Sequence, residues 1–562
     1  MENPNDNAAY KFNFVSELYQ EGVAEAKKQI LDMINTSDAI MHQEGDIHIH
    51  DLEGYGKIHN CCMPKLEDWL RNSITNTGKD DTGVILQVFE LTKSLIISLA
   101  MCQSGGIGFA NFDHEISKCL EEFSVDICPN NIQLVRRCID GFLRWINTTY
   151  TRNCREPYYV TLNLGLDVSE WGRIITKELL DSHYESPNHF TRPNIVFKVK
   201  KNTNGHGAQN YDLFRMALRN TSKKMVPTYL LLDSKPNAEL DPFRLAIMGC
   251  RTKIYQNFHG KTGSIGRGNI AVISINLPRI ALKATDIDSF YKELDRILEL
   301  VKAALLRKAN ALRKGGEEYL GFIINNHLLD ADSVQQMIDS GTLSIGFIGL
   351  SECVEVLSGE KPYENEDSRE LSLQIMEFFR KKVDDFKRET ELNFTILGTP
   401  AELLSGRFCE IDKTRYSHKI QDKGFYTNSF HINVDSRVSI YRKIELEAPF
   451  HLICDGGCIT YIELESVLLN NTLALQDIID YSTDKGISYL GINFPYDVCN
   501  RCGEYGTFDI CPKCGSSSIK RLRRVSGYLE DLSHFTQGKQ AEESKRKSNC
   551  LTGNSHNNMG AL

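Results

Sequence analysis

GNIAVISINL, residues 268–277, is a run of mostly apolar and β-branched residues with the length of one buried β-strand. A predicted helix follows it from about Thr285 to Leu305, with apolar residues recurring every three to four positions. A second such helix begins near Asp367, where Glu370 is a candidate partner in a capping pair. Three further strand-like runs are LSIGFIGL (343–350), CITYIEL (458–464) and ISYLGINF (487–494). Strands that alternate with helices predict an α/β fold with a largely parallel sheet.

Length, charge and composition limit the class of protein. The chain has 562 residues, 41% hydrophobic and 25% charged residues and a net charge of −9, which is typical of a soluble globular protein and argues against a broad nucleic-acid surface. The longest apolar run, SLIISLAMC (94–102), has about half the length of a membrane span. The N-terminal MENPNDNAAYKF contains neither an apolar signal core nor an arginine-rich targeting pattern. We therefore expect a cytoplasmic protein with no membrane and no nucleic-acid partner.

Four of the seventeen cysteines have the spacing of metal ligands. CNRCGEYGTFDICPKCG places Cys499, Cys502, Cys511 and Cys514 in a C-x2-C-x8-C-x2-C pattern. Two such knuckles supply four thiolates for a closed Zn2+ site, which stabilises structure and leaves no open position for catalysis. The alternatives are four free thiols, or a ribbon that binds nucleic acid through KRLRR (520–524), which the acidic balance disfavours. The remaining cysteines are expected to be buried thiols, because no secretion signal precedes this long chain.

Gly527 lies in RRVSGYLEDLSHF (523–535), without the Asn, Asp or Pro that accompany most turn glycines. The cysteine pattern, RVSGYL and FTQGKQAEESKR (535–546) together resemble the C-terminus of the anaerobic (class III) ribonucleoside-triphosphate reductases, which are glycyl radical enzymes. Six more blocks match this family in its order: GDIHIHDL (45–52), HNCCMPKL (59–66), MGCRT (248–252), GRGNIAVISINLPRIAL (266–282), TPAELLSGRF (399–408) and FYTNSFHINV (425–434). The alternative for Gly527 is an ordinary turn glycine.

The resemblance implies an architecture and partners. It implies a ten-stranded α/β barrel in residues 1–494, a zinc ribbon in 495–522, and a glycyl radical loop with a C-terminal tail in 523–562. Many relatives begin with an ATP-binding cone that switches overall activity; the matching region here begins almost at once, so neither this cone nor its switch is expected. Near residue 495 the hydrophobic periodicity gives way to cysteine pairs, glycine and charge, which agrees with that boundary. The resemblance further implies a homodimer, nucleoside triphosphate substrates and effectors, and an activating protein that uses S-adenosylmethionine and a 4Fe–4S cluster.

The resemblance also assigns a radical chain. Gly527 would store the radical, because loss of a Cα hydrogen leaves a planar centre that the flanking amides stabilise and a side chain would hinder. Cys250, at the tip of a loop inside the barrel, would form the thiyl radical that takes the ribose 3′ hydrogen. Cys61 would donate hydrogen on the other face of the ribose; the adjacent Cys62 is the alternative, since neighbouring side chains of an extended segment point to opposite faces. Asn276 would hydrogen-bond the ribose hydroxyls, unless its amide only caps a turn at the strand end.

Two segments resemble the substrate-binding regions of the family. Thr399, Pro400, Ala401 and Glu402 begin TPAELLSGRF, and Ser429 lies in YTNSFH. The hydroxyls of Thr399 and Ser429 and the following backbone amides suit phosphate oxygens. Glu402 would repel a triphosphate unless it is paired.

Two other motifs could have either a structural role or a role in metal or redox chemistry. His48 and His50 in GDIHIHDL would point to one face of a strand as a ligand pair, but no third ligand is evident, so a structural role is expected. CDGGC (454–458) is a possible thiol pair, although its x3 spacing is weak evidence for redox or metal chemistry.

The sequence thus predicts an oxidoreductase that reduces ribonucleoside triphosphates to 2′-deoxyribonucleoside triphosphates by glycyl and thiyl radical chemistry. Formate is the expected reductant, since Cys61, Cys250 and Asn276 resemble the formate-using subgroup; Cys353 in GLSECVEVL would instead complete a dithiol served by a thioredoxin-like protein. Two rival hypotheses are a glycyl radical enzyme that catalyses another radical elimination, and an inactive zinc-ribbon binding protein on the same fold.

Overall fold

A computed structural model describes residues 14–75, 80–151, 157–186, 189–416, 423–468, 471–524 and 527–549. Its strands are β1 Ile47–Ile49, β2 Cys61–Met63, β3 Ile107–Phe109, β4 Val160–Leu164, β5 Asn194–Val199, β6 Thr228–Leu231, β7 Ile247–Met248, β8 Thr252–Lys253, β9 Arg267–Asn276, β10 Thr342–Ile348, β11 Asn393–Gly398, β12 Thr460–Glu463, β13 Tyr489–Asn493, β14 Tyr496–Cys499, β15 Tyr505–Gly506, β16 Ile519–Arg524 and β17 Leu529–Asp531.

Its helices are α1 Phe14–Met33, α2 Thr36–Glu44, α3 Leu66–Ser73, α4 Asp81–Cys102, α5 Phe112–Glu122, α6 Pro129–Thr148, α7 Glu170–Glu185, α8 Lys201–Asn204, α9 Tyr211–Lys224, α10 Leu277–Lys283, α11 Ile287–Gly315, α12 Glu317–Asn325, α13 Val334–Ser340, α14 Leu350–Ser358, α15 Glu366–Thr390, α16 Leu404–Tyr416, α17 Ile440–Ile453, α18 Thr472–Lys485 and α19 Gln537–Lys545. Short 3-10 turns lie at Leu52–Gly54 and Leu532–His534.

The elements predicted from periodicity are present. The four strand-like runs form β9, β10, β12 and β13, and the two helices are α11 and α15. Asp286 caps α11 by accepting from the backbone N–H of Ser289, in a capping box. The cap of α15 is Asn365 rather than the pair of Asp367 and Glu370, because the Asn365 amide oxygen accepts the first backbone N–H groups of the helix.

One mixed sheet forms the centre of the protein, with the strand order β11-β10-β9-β2-β3-β4-β5-β6-β13-β12 and with β1 paired to β9. The strands β2 to β6 run parallel to one another, as do β9, β10 and β11, and also β12 and β13. These groups meet antiparallel where β2 pairs with β9 and where β6 pairs with β13. Helices connect the neighbouring parallel strands, as parallel pairing requires. The α/β fold with a largely parallel sheet is confirmed.

The two ends of this path of ten strands lie close together. Gly398, at the end of β11, donates its N–H to Gly457 O at 2.9 Å, and Gly456 donates to Ile396 O at 2.8 Å. Both of these glycines shortly precede β12. Within the described ranges no ladder joins β11 to β12, so closure into a ten-stranded barrel stays a prediction.

The strand β4 separates the helical layer from an internal hairpin. Val160 belongs to the main apolar core with the helices. Thr161 and Asn163 of β4 point to the opposite face of the sheet. Thr161 Oγ1 donates to Gly249 O at 2.5 Å, and Asn163 Nδ2 donates to Ile247 O at 2.8 Å. Since successive side chains of a strand alternate between its faces, the β7–β8 hairpin lies on the face of the sheet away from the helices.

A second sheet, with the order β15-β14-β16-β17, carries the C-terminal motifs. The four-cysteine pattern lies mainly between β14 and β16, and Gly527 lies between β16 and β17. Arg524 Nε donates to Asn493 Oδ1 at 2.9 Å, which ties β16 to the end of β13. The predicted boundary near residue 495 falls between β13 and β14.

One described helix, α4, is long and apolar enough to span a membrane by length and composition alone. Half of its most apolar window is buried inside the protein, and Val88, Leu95 and Leu99 belong to the main apolar core. The core helix of a globular protein passes the same test, so this helix is weak evidence for a membrane span.

Candidate active site

Gly527 packs directly against Cys250. It is buried, and its φ of +133° is a conformation that residues with a side chain rarely adopt. A Cβ atom on Gly527 would lie 2.6 Å from Cβ and 2.7 Å from the carbonyl O of Cys250, far inside normal contact distance. Arg524 Nη1 donates to Gly527 O at 2.6 Å and holds the segment. The position therefore suits glycine and sets its Cα beside the predicted thiyl residue.

Cys250 lies at the tip of the β7–β8 hairpin, after Gly249, whose φ is +60°. Arg251 Nη1 donates to Gly398 O at 3.3 Å and ties the tip to β11. Burial, reinforced by the negative charge of Glu402, raises the pKa of the Cys250 thiol to about 12. The thiol is therefore protonated at neutral pH and has an S–H hydrogen that a neighbouring radical can remove.

Cys61 lies on β2, across from the hairpin tip. A Cβ atom on Gly249 would lie 3.7 Å from Cys61 Sγ. The Cys61 thiol donates to Asn60 Oδ1 at 2.9 Å, and its sulfur accepts from Gly106 N–H at 3.2 Å. Burial raises the pKa of Cys61 well above its usual value, so this thiol also keeps its proton. Two protonated thiols, Cys61 and Cys250, thus flank one small region.

The neighbouring Cys62 faces the opposite way. Its thiol joins the main apolar core, where Cys102 of α4 is a neighbour. Cys61 instead clusters with Met248 of the hairpin. The alternation of side chains along β2 therefore separates the two cysteines, and Cys61 is the one on the hairpin side.

Asn276 is not brought together with the two thiols. It caps α10, where its Oδ1 accepts from Arg279 N–H at 3.3 Å and its Nδ2 donates to Asp412 Oδ2 at 2.9 Å. Asn269, at the other end of β9, pairs directly with Cys61 and so shares its face of the sheet. Asn269 is fully buried, and its Nδ2 has no hydrogen-bond partner among the residues that the structure describes. The Asn269 side chain therefore places an unused N–H donor beside Cys61. Its role could not be recognised from the sequence, because it lies within a mostly apolar strand.

A second polar residue that sequence reasoning did not single out is Asn60. Its Nδ2 donates to Asp51 Oδ2 at 2.9 Å while its Oδ1 accepts from the Cys61 thiol. Asp51 comes from GDIHIHDL and has a left-handed φ of +53°. This motif therefore positions Cys61 through Asp51 and Asn60.

His50 of the same motif connects through Ser274 to Thr399 at the start of TPAELLSGRF. His50 Nε2 lies 2.9 Å from Ser274 Oγ, which lies 2.9 Å from Thr399 Oγ1. Burial lowers the pKa of His50 to about 4, so its ring is neutral at pH 7. Neither His48 nor His50 belongs to a group with metal-ligand geometry in the described part of the chain. The motif supports the site through hydrogen bonds.

The two predicted substrate-binding segments adjoin each other. Asn428 Nδ2 donates to Pro400 O at 3.1 Å and links them. Ala401 and Ser429 both have positive φ, at +67° and +43°. Ser429 is fully buried, and its hydroxyl has no hydrogen-bond partner among the described residues. Ser405, in the first turn of α16, is buried and unpartnered in the same sense.

Glu402 acts electrostatically on the two thiols. After burial, its negative charge contributes to the raised pKa of Cys250 and, to a smaller extent, of Cys61. It also helps to raise the pKa of Arg251. The Glu402 carboxylate is therefore close enough to the two thiols and to Arg251 for its charge to affect all three.

The C-terminal cysteines have the geometry of a four-sulfur site. The sulfurs of Cys499, Cys502, Cys511 and Cys514 all lie within 4.8 Å of one another. Two of the pairs, Cys499 with Cys514 and Cys502 with Cys511, are each 3.5 Å apart. Tetrahedral Zn–S bonds of about 2.3 Å would place the sulfurs about 3.8 Å apart, so the cluster suits a zinc ion.

Cys353 lies away from Cys61 and Cys250. It is fully buried near the start of α14, and Tyr291 of α11 is a neighbour. Tyr291 in turn packs against Phe378 of α15. Cys353 therefore faces the helical layer, and the structure does not pair it with Cys61.

Comparisons with known proteins identify the family of the chain. A family model described as anaerobic ribonucleoside-triphosphate reductase matches residues 4–548. The anaerobic ribonucleoside-triphosphate reductase of Escherichia coli (strain K12) is 33% identical over 554 residues, which cover 90% of this chain and 77% of that one. The enzyme of the same name from Enterobacteria phage T4 is 27% identical over 556 residues, 89% of either chain.

The fold has relatives among solved structures. The anaerobic ribonucleotide reductase from Thermotoga maritima in complex with dATP and CTP matches with a TM-score of 0.71 at 17% identity. The match covers 94% of this chain and 89% of that one. At this identity the likeness concerns the fold.

Proposed function

The chain belongs to the family of anaerobic ribonucleoside-triphosphate reductases and is an oxidoreductase that makes 2′-deoxyribonucleoside triphosphates by glycyl radical chemistry; on this basis we propose that Gly527 stores the radical and Cys250 passes it to the substrate. The observation that carries the proposal is the packing of Gly527 on Cys250, where an added Cβ would lie 2.6 Å from Cys250 Cβ. The S–H hydrogen of Cys250 moves to the Cα of Gly527, which leaves a thiyl radical at the hairpin tip.

The ribose binds between Cys250 and Cys61. The Cys250 thiyl removes the 3′ hydrogen as an atom, and the 2′ hydroxyl leaves as water with a proton from the Cys61 thiol. The raised pKa values keep both thiols protonated before the reaction starts. At the end of the cycle the 3′ hydrogen returns from Cys250 and the thiyl radical is regenerated.

Formate is the proposed reductant. One formate is oxidised to carbon dioxide and supplies two electrons, so a ribonucleotide, a formate and a proton give a deoxyribonucleotide, carbon dioxide and water. The Cys353 thiol lies among the helices rather than beside Cys61, which supports formate over a Cys61–Cys353 dithiol. Asn269 takes the role that the sequence assigned to Asn276, because its spare Nδ2 hydrogens lie next to Cys61 and suit a ribose hydroxyl or the formate carboxylate.

The triphosphate lies against the segment from Thr399 to Ser429. The buried, unpartnered hydroxyls of Ser405 and Ser429 and the N-terminus of α16 provide donors for phosphate oxygens. Glu402 lies on the thiol side, where its carboxylate accepts a hydrogen bond or a proton near the ribose. This arrangement removes the electrostatic conflict that a carboxylate at the phosphates would create.

The four-cysteine cluster holds a structural Zn2+. Cys499, Cys502, Cys511 and Cys514 supply its four thiolates and leave no open position for catalysis. The ion fixes the sheet whose strands β16 and β17 flank Gly527, so it stabilises the radical-bearing segment.

The proposed partners follow from the family. A radical S-adenosylmethionine protein with a 4Fe–4S cluster removes the Gly527 hydrogen, and nucleoside triphosphates bind as substrates and effectors to a homodimer. The solved relative from Thermotoga maritima was crystallised with dATP and CTP, which supports nucleotide binding here. The domain division at residues 494 and 522 and the cytoplasmic location belong to the same proposal.

Electron paramagnetic resonance tests the assignment. After anaerobic incubation with a class III activating protein, S-adenosylmethionine and a reductant, we expect a doublet that is absent in Gly527→Ala. Cys250→Ala is the matched control: it should keep the doublet and lose nucleotide reduction. Turnover by Cys250→Ala, or a doublet in Gly527→Ala, would contradict the proposed radical path.

A further inference from the structure

Tyr528 directly follows the proposed radical residue and is buried, with 6% of its surface exposed. Its ring packs against the ring of Tyr159, with 5.0 Å between the centroids. The guanidinium of Arg192 lies 5.2 Å from the ring centroid of Tyr528 and 5.3 Å from that of Tyr159. Arg192 also donates to Leu529 O at 2.5 Å and to Glu530 Oε2 at 2.8 Å. Arg192 therefore fixes the ring of Tyr528 together with the two residues that follow it.

The hydroxyl of Tyr528 lies close to the tip of the Cys250 hairpin. A Cβ atom on Gly106 would lie 3.0 Å from Tyr528 Oη, and a Cβ atom on Gly249 would lie 3.8 Å from it. The same Cβ position on Gly249 is 3.7 Å from Cys61 Sγ. The phenol oxygen and the Cys61 sulfur therefore both lie within 4 Å of one point beside the hairpin tip.

The hydroxyl of Tyr528 has no hydrogen-bond partner among the residues that the structure describes. Thr161 lies nearby, but its hydroxyl hydrogen is donated to Gly249 O. Burial is the largest of the effects that raise the pKa of the Tyr528 phenol well above its usual value, and the Thr161 hydroxyl opposes it only in part. The phenol therefore keeps its proton. A buried donor of this kind is unfavourable for folding unless it binds an acceptor.

We propose that Tyr528 Oη is a binding group of the active site, which donates a hydrogen bond to an oxygen of the ligand held between Cys61 and Cys250. This inference rests on the proposed function, since the acceptor is a ribose hydroxyl of the nucleotide or a carboxylate oxygen of formate. A phenol suits either acceptor, because both oxygens have unshared electron pairs and the phenol stays protonated.

The position of this donor next to Gly527 couples ligand binding to the radical segment. Tyr528 lies beside the hairpin tip when Gly527 is packed on Cys250, and a displacement of the segment would withdraw the phenol as well. A ligand that accepts the hydrogen bond therefore stabilises the packed position. The packed position in turn raises the affinity for the ligand by the same factor.

Urea unfolding without ligand gives the first test. Tyr528→Phe removes the hydroxyl and keeps the ring that packs on Tyr159 and Arg192. Because this hydroxyl makes no hydrogen bond within the described chain, the variant should unfold at a urea concentration equal to or above that of wild type. Tyr229→Phe is the matched control: it removes a buried phenol that lies 2.7 Å from Thr221 Oγ1, so it should unfold at a lower urea concentration.

Calorimetric titration of the unactivated protein gives the second test. The ligands are ATP, CTP, GTP, UTP and sodium formate, with sodium chloride as the blank for formate. We expect Tyr528→Phe to bind a nucleotide or formate about three- to tenfold more weakly than wild type, whereas Tyr229→Phe binds them as wild type does. Weaker binding of nucleotides alone assigns the acceptor to the ribose, and weaker binding of formate alone assigns it to the carboxylate.

Amide hydrogen exchange tests the coupling. The ligand that Tyr528→Phe binds more weakly should slow exchange in residues 529–531 of wild type, and should slow it less in the variant.

Two results would overturn the proposal. One is unchanged affinity of Tyr528→Phe for all five ligands; the other is a lower unfolding midpoint than wild type, since the hydroxyl would then stabilise the chain itself. Wild type that binds none of the five ligands would instead contradict the proposed function. None of these measurements uses the radical, so a failure of the radical path would appear separately, as a missing doublet in wild type.

Discussion

Replacing each of the two asparagines of β9 by alanine tests two different roles: a structural role for Asn276 and substrate binding for Asn269. Asn276→Ala removes the cap of α10 and the hydrogen bond from its Nδ2 to Asp412, at 2.9 Å. The cap is worth about 0.5–2 kcal/mol, and a hydrogen bond to a buried carboxylate about 1.5–3 kcal/mol. We expect a loss of stability of about 2–5 kcal/mol, with little change in turnover of the folded enzyme.

Asn269→Ala should give the opposite result. The Asn269 Oδ1 accepts from Thr342 and Ser344, both at 3.3 Å, and these long bonds to neutral hydroxyls contribute about 1 kcal/mol or less each. Its Nδ2 has no partner to lose among the described residues. If that group binds the ribose or formate as the reaction proceeds, turnover should fall about 10²–10³-fold, the usual effect of removing one donor to a transition state.

The assay combines denaturant unfolding of both variants with nucleotide reduction after activation. The yield of glycyl radical serves as the control, because neither side chain touches Gly527. An Asn276→Ala enzyme with wild-type stability and no turnover, or an Asn269→Ala enzyme with full turnover, would refute the assignment drawn from β9.

Three further changes test separate parts of the structure. Cys61→Ser should abolish turnover while Cys62→Ser retains at least about a third of it, because the two side chains face opposite sides of β2; equal losses in a reduction assay would contradict this. Burial lowers the pKa of His59 to about 4, below its value of about 6.5 in the unfolded chain. The buried neutral ring therefore favours the folded state above pH 6.5, and this advantage is lost as the pH falls. The free energy of unfolding should decrease by about 1.8 kcal/mol between pH 7 and pH 5 from this group alone. Urea unfolding at both pH values should show a smaller difference in His59→Gln, and an unchanged difference would count against this account. Cys511→Ser should lower bound zinc, measured by plasma emission, and the yield of glycyl radical, while nucleotide binding persists; a full radical yield without zinc would separate the ribbon from the radical segment.

Much of the fold could be predicted from sequence because its strands are strongly apolar. The run from residue 268 to 277 is buried along its length in β9, and such strands differ from helices by length and β-branched content. The predicted capping pair at Asp367 was wrong, since the residue before the helix, Asn365, supplies the cap. Short strands such as β7 and β8, with two residues each, carry too little pattern to be recognised.

The site was predictable where one residue type is chemically required. Gly527 and Cys250 could be assigned from motifs, and the structure places them in contact. Asn269 and Asn276 lie in the same strand, seven positions apart in the sequence, and composition gives no reason to prefer either. Only the pairing of β9 with β2, which sets Asn269 opposite Cys61, distinguishes them. The buried hydrogen bond between His451 of α17 and Thr460 of β12 likewise joins two elements whose meeting no local pattern reveals.

The contact between Gly527 and Cys250 has a consequence for the conformational equilibrium of the Gly527 segment. Gly527 is buried, and Cys250 occupies the space that any group reaching its Cα from that side would need. On the proposed radical path, removal of a hydrogen from this Cα on that side and transfer of the radical to Cys250 therefore exclude each other at any moment. On this path a molecule in which Gly527 has moved away from Cys250 cannot turn over, and one in which the two are packed together cannot be recharged. The fraction of chains at work is then set by the equilibrium between these two positions as much as by the rate of the chemistry.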